Sequence, residues 1–274
     1  MHKRQLSRRI PVVVLMLCLM PAPSAFAADD QHLSNEEIKH FLLTAKVINS
    51  KPSAKGVTHP TRLTLSDGTI THDASFQPID EHKPEMELES GVIVLNFVDS
   101  YKYNIAAYDL AELIGLDDMV PVYVERKWQG HAGSLSWWLP VKMDEADRMA
   151  RKLEPPDSDV WNKQMYKLRV FDELIYDTDA NLTNVLIGQD WQIWRIDFTR
   201  AFRLNKDLRM PSNLVQCDRH LFEKIRTLKA DELAEKTRGY LTKDEVKALM
   251  ARRDKIVALF DELIQKKGEN EVLY

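Results

Sequence analysis

Between Asp177 and Asp197 the sequence gathers oxygen-bearing side chains suited to binding hard cations or carrying protons, among them Asp177, Asp179, Asn181, Asn184 and Asp197. Mg2+ and Mn2+ take a few such ligands and leave the rest of their coordination to water and phosphate oxygens. Asn184 and Asp197 are the expected metal ligands. Asp179 is the expected acceptor of a proton from an attacking hydroxyl, the metal neutralising charge on the group transferred. Asp177-x-Asp179-x-Asn181 also opens like a calcium loop, but Leu182 stands where a glycine is needed and Gly188 where a glutamate is needed, which argues against an EF-hand. The same residues are common turn formers. Asp197, set among Trp194, Ile196 and Phe198, is harder to explain as a turn residue, because a carboxylate in apolar surroundings requires a partner.

These residues need elements that bring them together. Asp159–Tyr176 carries Trp161, Met165, Leu168, Phe171, Leu174 and Ile175 at helical spacing, which predicts an amphipathic helix ending just before Asp177. Val185–Ile187 and Gln192–Ile196 predict a short hairpin turning at Gly188–Trp191. Because a hairpin returns the chain to its starting edge, Asn184 and Asp197 are expected side by side, next to the loop that bears Asp179.

Upstream, Ser34 and Glu37 form a capping box, predicting a helix over 35–47. The stretch from Asn49 to Gly56 reads as a polar connection. Arg62–Leu65 and Thr69–Phe76 read as a hairpin around Ser66-Asp67-Gly68. Pro78–Ser90, charged and proline-containing, reads as a loop, and Gly91–Phe97 as a buried strand. A helix is expected from Ser100 to Ile114, stopped by Gly115. A second hairpin, Val120–Glu125 with Ser134–Leu139, turns around Gln129-Gly130-His131. Trp137-Trp138-Leu139, just before a change of character at Pro140, reads as core, the alternative being a wall on which a ligand ring stacks. The last third is mainly helical, with a second capping box at Thr242 and Glu245 and a charged, solvated face over Thr242–Lys267. Strands early and helices late predict an α+β, two-lobed architecture.

The first 27 residues have the three parts of a secretory signal: basic Lys3, Arg4, Arg8 and Arg9, an apolar run from Ile10 to Met20, and Ala25-Phe26-Ala27 before the expected cleavage. The apolar run is too short to span a bilayer, and no later stretch is long enough either, so no transmembrane segment is expected after signal removal. The protein is therefore expected to be exported, to the periplasm or beyond the cell. Losing the four basic residues moves the formal charge from −4 to −8, which argues against nucleic acid as a partner. Cleavage also removes Cys18 and leaves Cys217, read as a buried, inert thiol, so no internal disulfide is expected. His72 and His82 match no zinc spacing.

Asp179 followed by Asn184 and then Ile196-Asp197-Phe198 resembles the catalytic-loop and D-F-G pattern of protein-kinase-like enzymes. The fuller string, FDxLIxDTDxxxxNxLI followed by IDFTRAF, is most similar to the atypical branch: phosphoinositide kinases, HipA-type kinases and the secreted kinases of the four-jointed family. Less specifically, Ala74–Pro78, Ile105–Leu110 and Val120-Pro121 resemble the amino lobe of the secreted kinases. The resemblance implies a bilobal protein-kinase-like fold, with a small β-rich N-lobe over 28–140 including the N-terminal helix. A helical C-lobe would follow over 141–274, with its catalytic-loop-like segment at 177–197. It implies Mg2+ or Mn2+ on Asn184 and Asp197, Asp179 as base, and ATP or another nucleotide as substrate. The acceptor would be an unknown protein or small molecule.

Departures from the pattern are specific. Gln77 stands at the position of the ATP-binding lysine and Asn104 at that of its helix glutamate, turning an ion pair into two neutral amides. Lys102 is the nearby candidate for a phosphate contact, so Gln77, Lys102 and Asn104 are the expected nucleotide-binding set. Asp177, Ala180 and Thr199 replace the usual asparagine, arginine and glycine. Arg200 is either a substrate clamp or an ion-pair partner for Asp177. The expectation is an exported, metal-dependent phosphoryl or nucleotidyl transferase. The alternative is a catalytically inactive pseudokinase serving as a binding or regulatory module in the cell envelope, and a third reading is a metal-binding protein of unrelated fold.

Overall fold

Ser34 and Glu37 close the expected capping box and start α1 (Asn35–Thr44). The computed structural model describes residues 33–52, 60–87, 91 and 93–274, so the expected signal peptide lies outside the described residues. After α1 come β1 (Lys46–Pro52), β2 (Thr61–Ser66), β3 (Thr71–Gln77), β4 (Asp80–Glu87) and β5 (Ile93–Ser100). Then follow α2 (Tyr101–Ile114), β6 (Tyr123–Trp128) and β7 (His131–Trp137). β1, β2, β3, β7 and β6 form, in that order, an antiparallel five-stranded sheet. Both expected hairpins are there, because alternating Leu63, Leu65, Ala74, Phe76 and Leu135 point to one buried face.

α2 lies under that face. Ser100 caps its start, Gly115 ends it at φ 73°, and ten of its residues are buried, Asn104 among them. A helix so enclosed is a core element, and a polar side chain on it must find partners inside.

Three readings of this half need correction. The connection over Asn49–Gly56 begins as part of β1, an edge strand almost wholly exposed, whose lysines and Pro52 hide its strand character. The expected loop at Pro78–Ser90 contains β4, which among the described residues pairs only with β5 in a two-stranded ribbon. Among the described residues such a ribbon has no third strand to bury a face, so the hydrophobic alternation used to recognise strands is lost. Pro84, lacking an N–H, falls opposite Asn96, which takes φ 50°. For the same reason the strand expected to be buried is not: Ile93 and Leu95 are 61% and 66% exposed, and burial begins only at Phe97.

From Trp137 the chain crosses through Leu139-Pro140 into β8 (Val141–Asp144), α3 (Glu145–Ala150) and α4 (Ser158–Ile175). β9 (Val185–Gly188) and β10 (Ile193–Arg195) form the expected small hairpin, joined by β8 into a three-stranded sheet. α5 (Arg219–Thr227), α6 (Ala230–Lys236), α7 (Lys243–Lys267) and α8 (Glu269–Val272) complete the helical half. α4 packs on α7, with Phe171, Leu174, Leu249, Ile256 and Phe260 all fully buried. Arg252 crosses this interface and donates to the carbonyls of Leu174 and Arg203, each at 2.9 Å, and to that of Asn205. Cys217 is buried and burial pushes its thiol up, as expected of an inert cysteine. Among the described residues no helix is long and apolar enough to cross a membrane.

Candidate active site

α4 stops because Tyr176 turns into the left-handed region at φ 50°, and Asp177 is the next residue. Asp177 is 1% exposed. Its Oδ1 accepts the N–H of Asp179 at 2.9 Å, an Asx-type turn that sets the loop, while its Oδ2 meets the guanidinium of Arg195. Arg195 is fully buried on β10 and also reaches Asp172 at 3.2 Å and the carbonyl of Ile196. Burial alone would lower its pKa; Asp172 and Asp177 more than offset this, so the guanidinium stays charged. The partner of Asp177 is thus Arg195, not Arg200. Arg200 instead bridges Asp99, at 2.9 Å, and Asp179, at 3.5 Å.

The hairpin brings Asn184 and Asp197 together as its topology requires: the N–H of Ile196 donates to the carbonyl of Asn184 at 3.0 Å. Asn184 donates Nδ2 to the carbonyl of Asp179 at 3.3 Å, which leaves its Oδ1 as the atom able to ligate. Asp179, with 43% of its side chain exposed, is the accessible carboxylate of the group. Asp197 holds φ at 61°, a left-handed conformation that costs a non-glycine residue of order 1 kcal/mol or more and recurs at functional sites. It is pinned there by the hydroxyl of Thr199, 3.3 Å from Oδ1, and by its own N–H, 3.5 Å from the hydroxyl of Tyr123. Burial raises its pKa, with Asp99, Asp177 and Asp179 adding to the rise and Arg195 opposing it. Among the described residues no lysine or arginine makes an ion pair with Asp197, and no three carboxylate, imidazole or thiolate groups converge as a ready-made metal cluster. One carboxylate and one amide oxygen beside open space fit a hydrated Mg2+ or Mn2+, which keeps water and phosphate in its shell.

Above them, Asn104 fills the position between α2 and the sheet. Its Nδ2 donates to Ser134 Oγ at 3.1 Å and its Oδ1 accepts the N–H of Phe198 at 2.7 Å. Gln77, near the end of β3, is paired in register with Ser134 on β7, and its Oε1 accepts the N–H of Ile79 at 3.3 Å. Gln77 and Asn104 are therefore linked through Ser134 into a neutral ceiling. Lys102 is elsewhere: its Nζ pairs with Asp80 at 3.0 Å on the ribbon side of α2, and it does not line the cavity.

Gln77, Asn104, Asn184 and Asp197 share one cavity of about 430 Å³ between sheet and helical half. Trp137, Trp138 and Leu139 form its hinge-side wall, and Met143, Leu186 and Ile196 belong to its apolar lining. The tryptophans serve packing as well: Trp137 stacks on His72 with centroids 3.5 Å apart, and Arg62 lies over Trp138 at 4.1 Å. An apolar slot of this volume opening onto convergent polar groups suits a flat heterocycle carrying a polar tail. Arg195, Ser134 and Asp99 escaped the sequence reading. A lone arginine in the apolar run Ile193–Ile196 was the available signal for the first, since a buried guanidinium must have carboxylates nearby.

A β-sheet half containing a single enclosed helix, a hinge, and a helical half holding the Asp179, Asn184 and Asp197 segment define an atypical protein-kinase-like fold. No family model and no curated protein matches the chain. Solved structures do. A Fam20 protein of hydra, solved with sugar, superimposes with TM-score 0.63 at 14% identity, covering 90% of this chain and 93% of its own. The Golgi casein kinase gives 0.62 at 14% identity, covering 87% and 78%, and it has also been solved with Mn and ADP bound. The proinflammatory kinase CtkA of Helicobacter pylori gives 0.53 at 10% identity, covering 82% and 98%. At these identities what is shared is the fold.

Proposed function

We propose that this protein is an exported, metal-dependent phosphotransferase that binds ATP or another nucleotide in the cavity beneath Trp137 and Trp138. The observation that carries the reading is the meeting of Asn184 and Asp197 at one wall of that cavity, with Asp179 held alongside by Asp177. Asn184 Oδ1 and the Asp197 carboxylate would hold Mg2+ or Mn2+, which when bound neutralises charge on the phosphoryl oxygens. Asp179 takes the proton of the acceptor hydroxyl, and Arg200, 3.5 Å away, keeps that carboxylate oriented for the task. The hinge-side tryptophans and Leu186 exclude water from the base end of the nucleotide. The acceptor is a protein or a small molecule outside the cytoplasm.

A second reading is favoured by one observation. The ceiling carries amides and a serine where a phosphate-binding cation would be expected, and Asn104 is engaged by Ser134 and Phe198. A pseudokinase would keep this arrangement to bind a ligand without transferring phosphate.

A thermal-shift titration of the purified protein with Mn2+ and a set of nucleotides, run beside Asp197→Ala, tests the site. Stabilisation by metal plus nucleotide in the parent and its loss in the variant is the expected result. Equal shifts in both proteins, or none in either, would remove the metal–nucleotide reading. Labelled-phosphate transfer to itself or to an acceptor then separates enzyme from binding module.

A further inference from the structure

Asp99 lies in the buried end of β5, one residue before the cap of α2. It is 2% exposed, yet only half of its carboxylate is satisfied. Oδ2 accepts from Arg200 Nε at 2.9 Å, while Oδ1 is enclosed and receives no donor among the described residues. A buried carboxylate oxygen with nothing to bind is costly, and native structures seldom keep one without a use. Its position suggests the use. The N–H of Ser100 donates to the carbonyl of Thr199 at 2.8 Å, which ties the end of β5 to the segment that begins at Asp197. Arg200, from that same segment, bonds Asp99 on one side and Asp179 on the other.

We infer that Asp99 is a further ligand of the divalent cation, acting with Asp197 and Asn184. The inference rests on the metal-dependent reading given above. Arg200 does for Asp99 what outer groups do at metal sites generally, fixing one carboxylate oxygen so that the other is presented. The charges of Asp99 and Asp197 repel one another; a divalent ion held by both removes that repulsion and satisfies Oδ1 in one step. Asp99 lies outside the catalytic-loop and D-F-G-like segments, so no pattern within those segments points to it.

Mn2+ binding by the purified protein, followed by the electron paramagnetic resonance signal of free Mn2+, tests this in Asp99→Asn beside Asp197→Asn and the parent. Asp99→Asn is expected to weaken Mn2+ by about 10- to 100-fold, the range typical of losing a group that shapes a metal site. If Asp99→Asn binds Mn2+ as the parent does while Asp197→Asn does not, Asp99 serves only to anchor Arg200 and the inference fails, the metal-dependent reading standing. If the parent itself binds no Mn2+, with or without nucleotide, both fail. Should Asp99→Asn not fold, Mn2+ broadening of carboxylate carbon resonances in the unsubstituted protein decides: Asp99 and Asp197 broadened together supports the assignment, and Asp99 left sharp overturns it.

Discussion

Arg195 and Asp177 form an ion pair in which both side chains are wholly buried, and each stands two residues before a member of the site. Arg195 precedes Asp197 on the strand side, and Asp177 precedes Asp179 on the loop side. Their contact fixes the distance between the expected metal ligand and the expected base.

Removing one partner of a buried pair leaves the other charged and alone, which costs about 3–5 kcal/mol. Arg195→Met is expected to lose stability of that order near neutral pH, because Asp172 and Asp177 then lack their cation. The loss should shrink as the medium is acidified. Burial already raises both carboxylates, Asp172 to about 6, and without Arg195 they rise further and become neutral by protonation. Urea unfolding of parent and variant at neutral and mildly acid pH measures this. A loss below about 1 kcal/mol at neutral pH would mean the pair is not what holds the two segments together.

Gly133 lies on β7 where no side chain fits. A Cβ there would meet the carbonyl oxygen of Gln77 at 2.6 Å and the ring of Phe76 at 2.8 Å. The oxygen belongs to the backbone of β3 and cannot swing aside, so Gly133→Ala must push the two strands apart beside Ser134. Overpacking of this kind costs about 1–3 kcal/mol. The variant is expected to unfold at lower denaturant concentration and to lose nucleotide-dependent stabilisation beyond its loss of stability, since Gln77 and Ser134 move with the strands. Unchanged stability would show that β3 and β7 are not in close contact there.

The helices and hairpins that carry the site were legible because each has a local signature: capping boxes at Ser34 and Thr242, a left-handed Gly115, and alternation in β2, β3, β9 and β10. The meeting of Asn184 and Asp197 followed from hairpin geometry alone. What was not legible depends on contacts between distant segments. β4 and β5 are strands by pairing with each other, not by burying a face, so their composition reads as loop on one side and core on the other. The partners of charged residues were hidden for the same reason. Arg195 and Arg200 are near one another in sequence, and only packing decides that Arg195 turns inward to Asp177 while Arg200 reaches across to Asp99. Lys102 is a different case: two residues before Asn104, it falls about 200° away around α2, and there it pairs with Asp80.

Asp109 gives α2 a pH dependence whose sign can be stated. It is partly buried, and burial pushes its carboxyl up to about 6, with Glu112 adding to the rise and Lys236 and Lys39 opposing it. In the unfolded chain the same group titrates near 3.8. The native state therefore holds this proton more tightly than the unfolded state, and the contribution is fully present below about pH 4. It falls as pH rises through the interval between the two values and is constant above about pH 6. A difference of about two units corresponds to ~3 kcal/mol as an upper figure, since each unit is worth about 1.4 kcal/mol. Asp109→Asn keeps the shape and removes the charge. The variant is expected to match the parent near pH 4 and to exceed it by about 1–3 kcal/mol near pH 7, where the parent must keep an ionised carboxylate in a partly apolar setting. Unfolding free energies of both proteins across this range give the comparison directly. If Asp109→Asn is instead the less stable protein near pH 7, the attraction of Lys236 and Lys39 outweighs the cost of burial, and the carboxylate holds α2 in place as an ion.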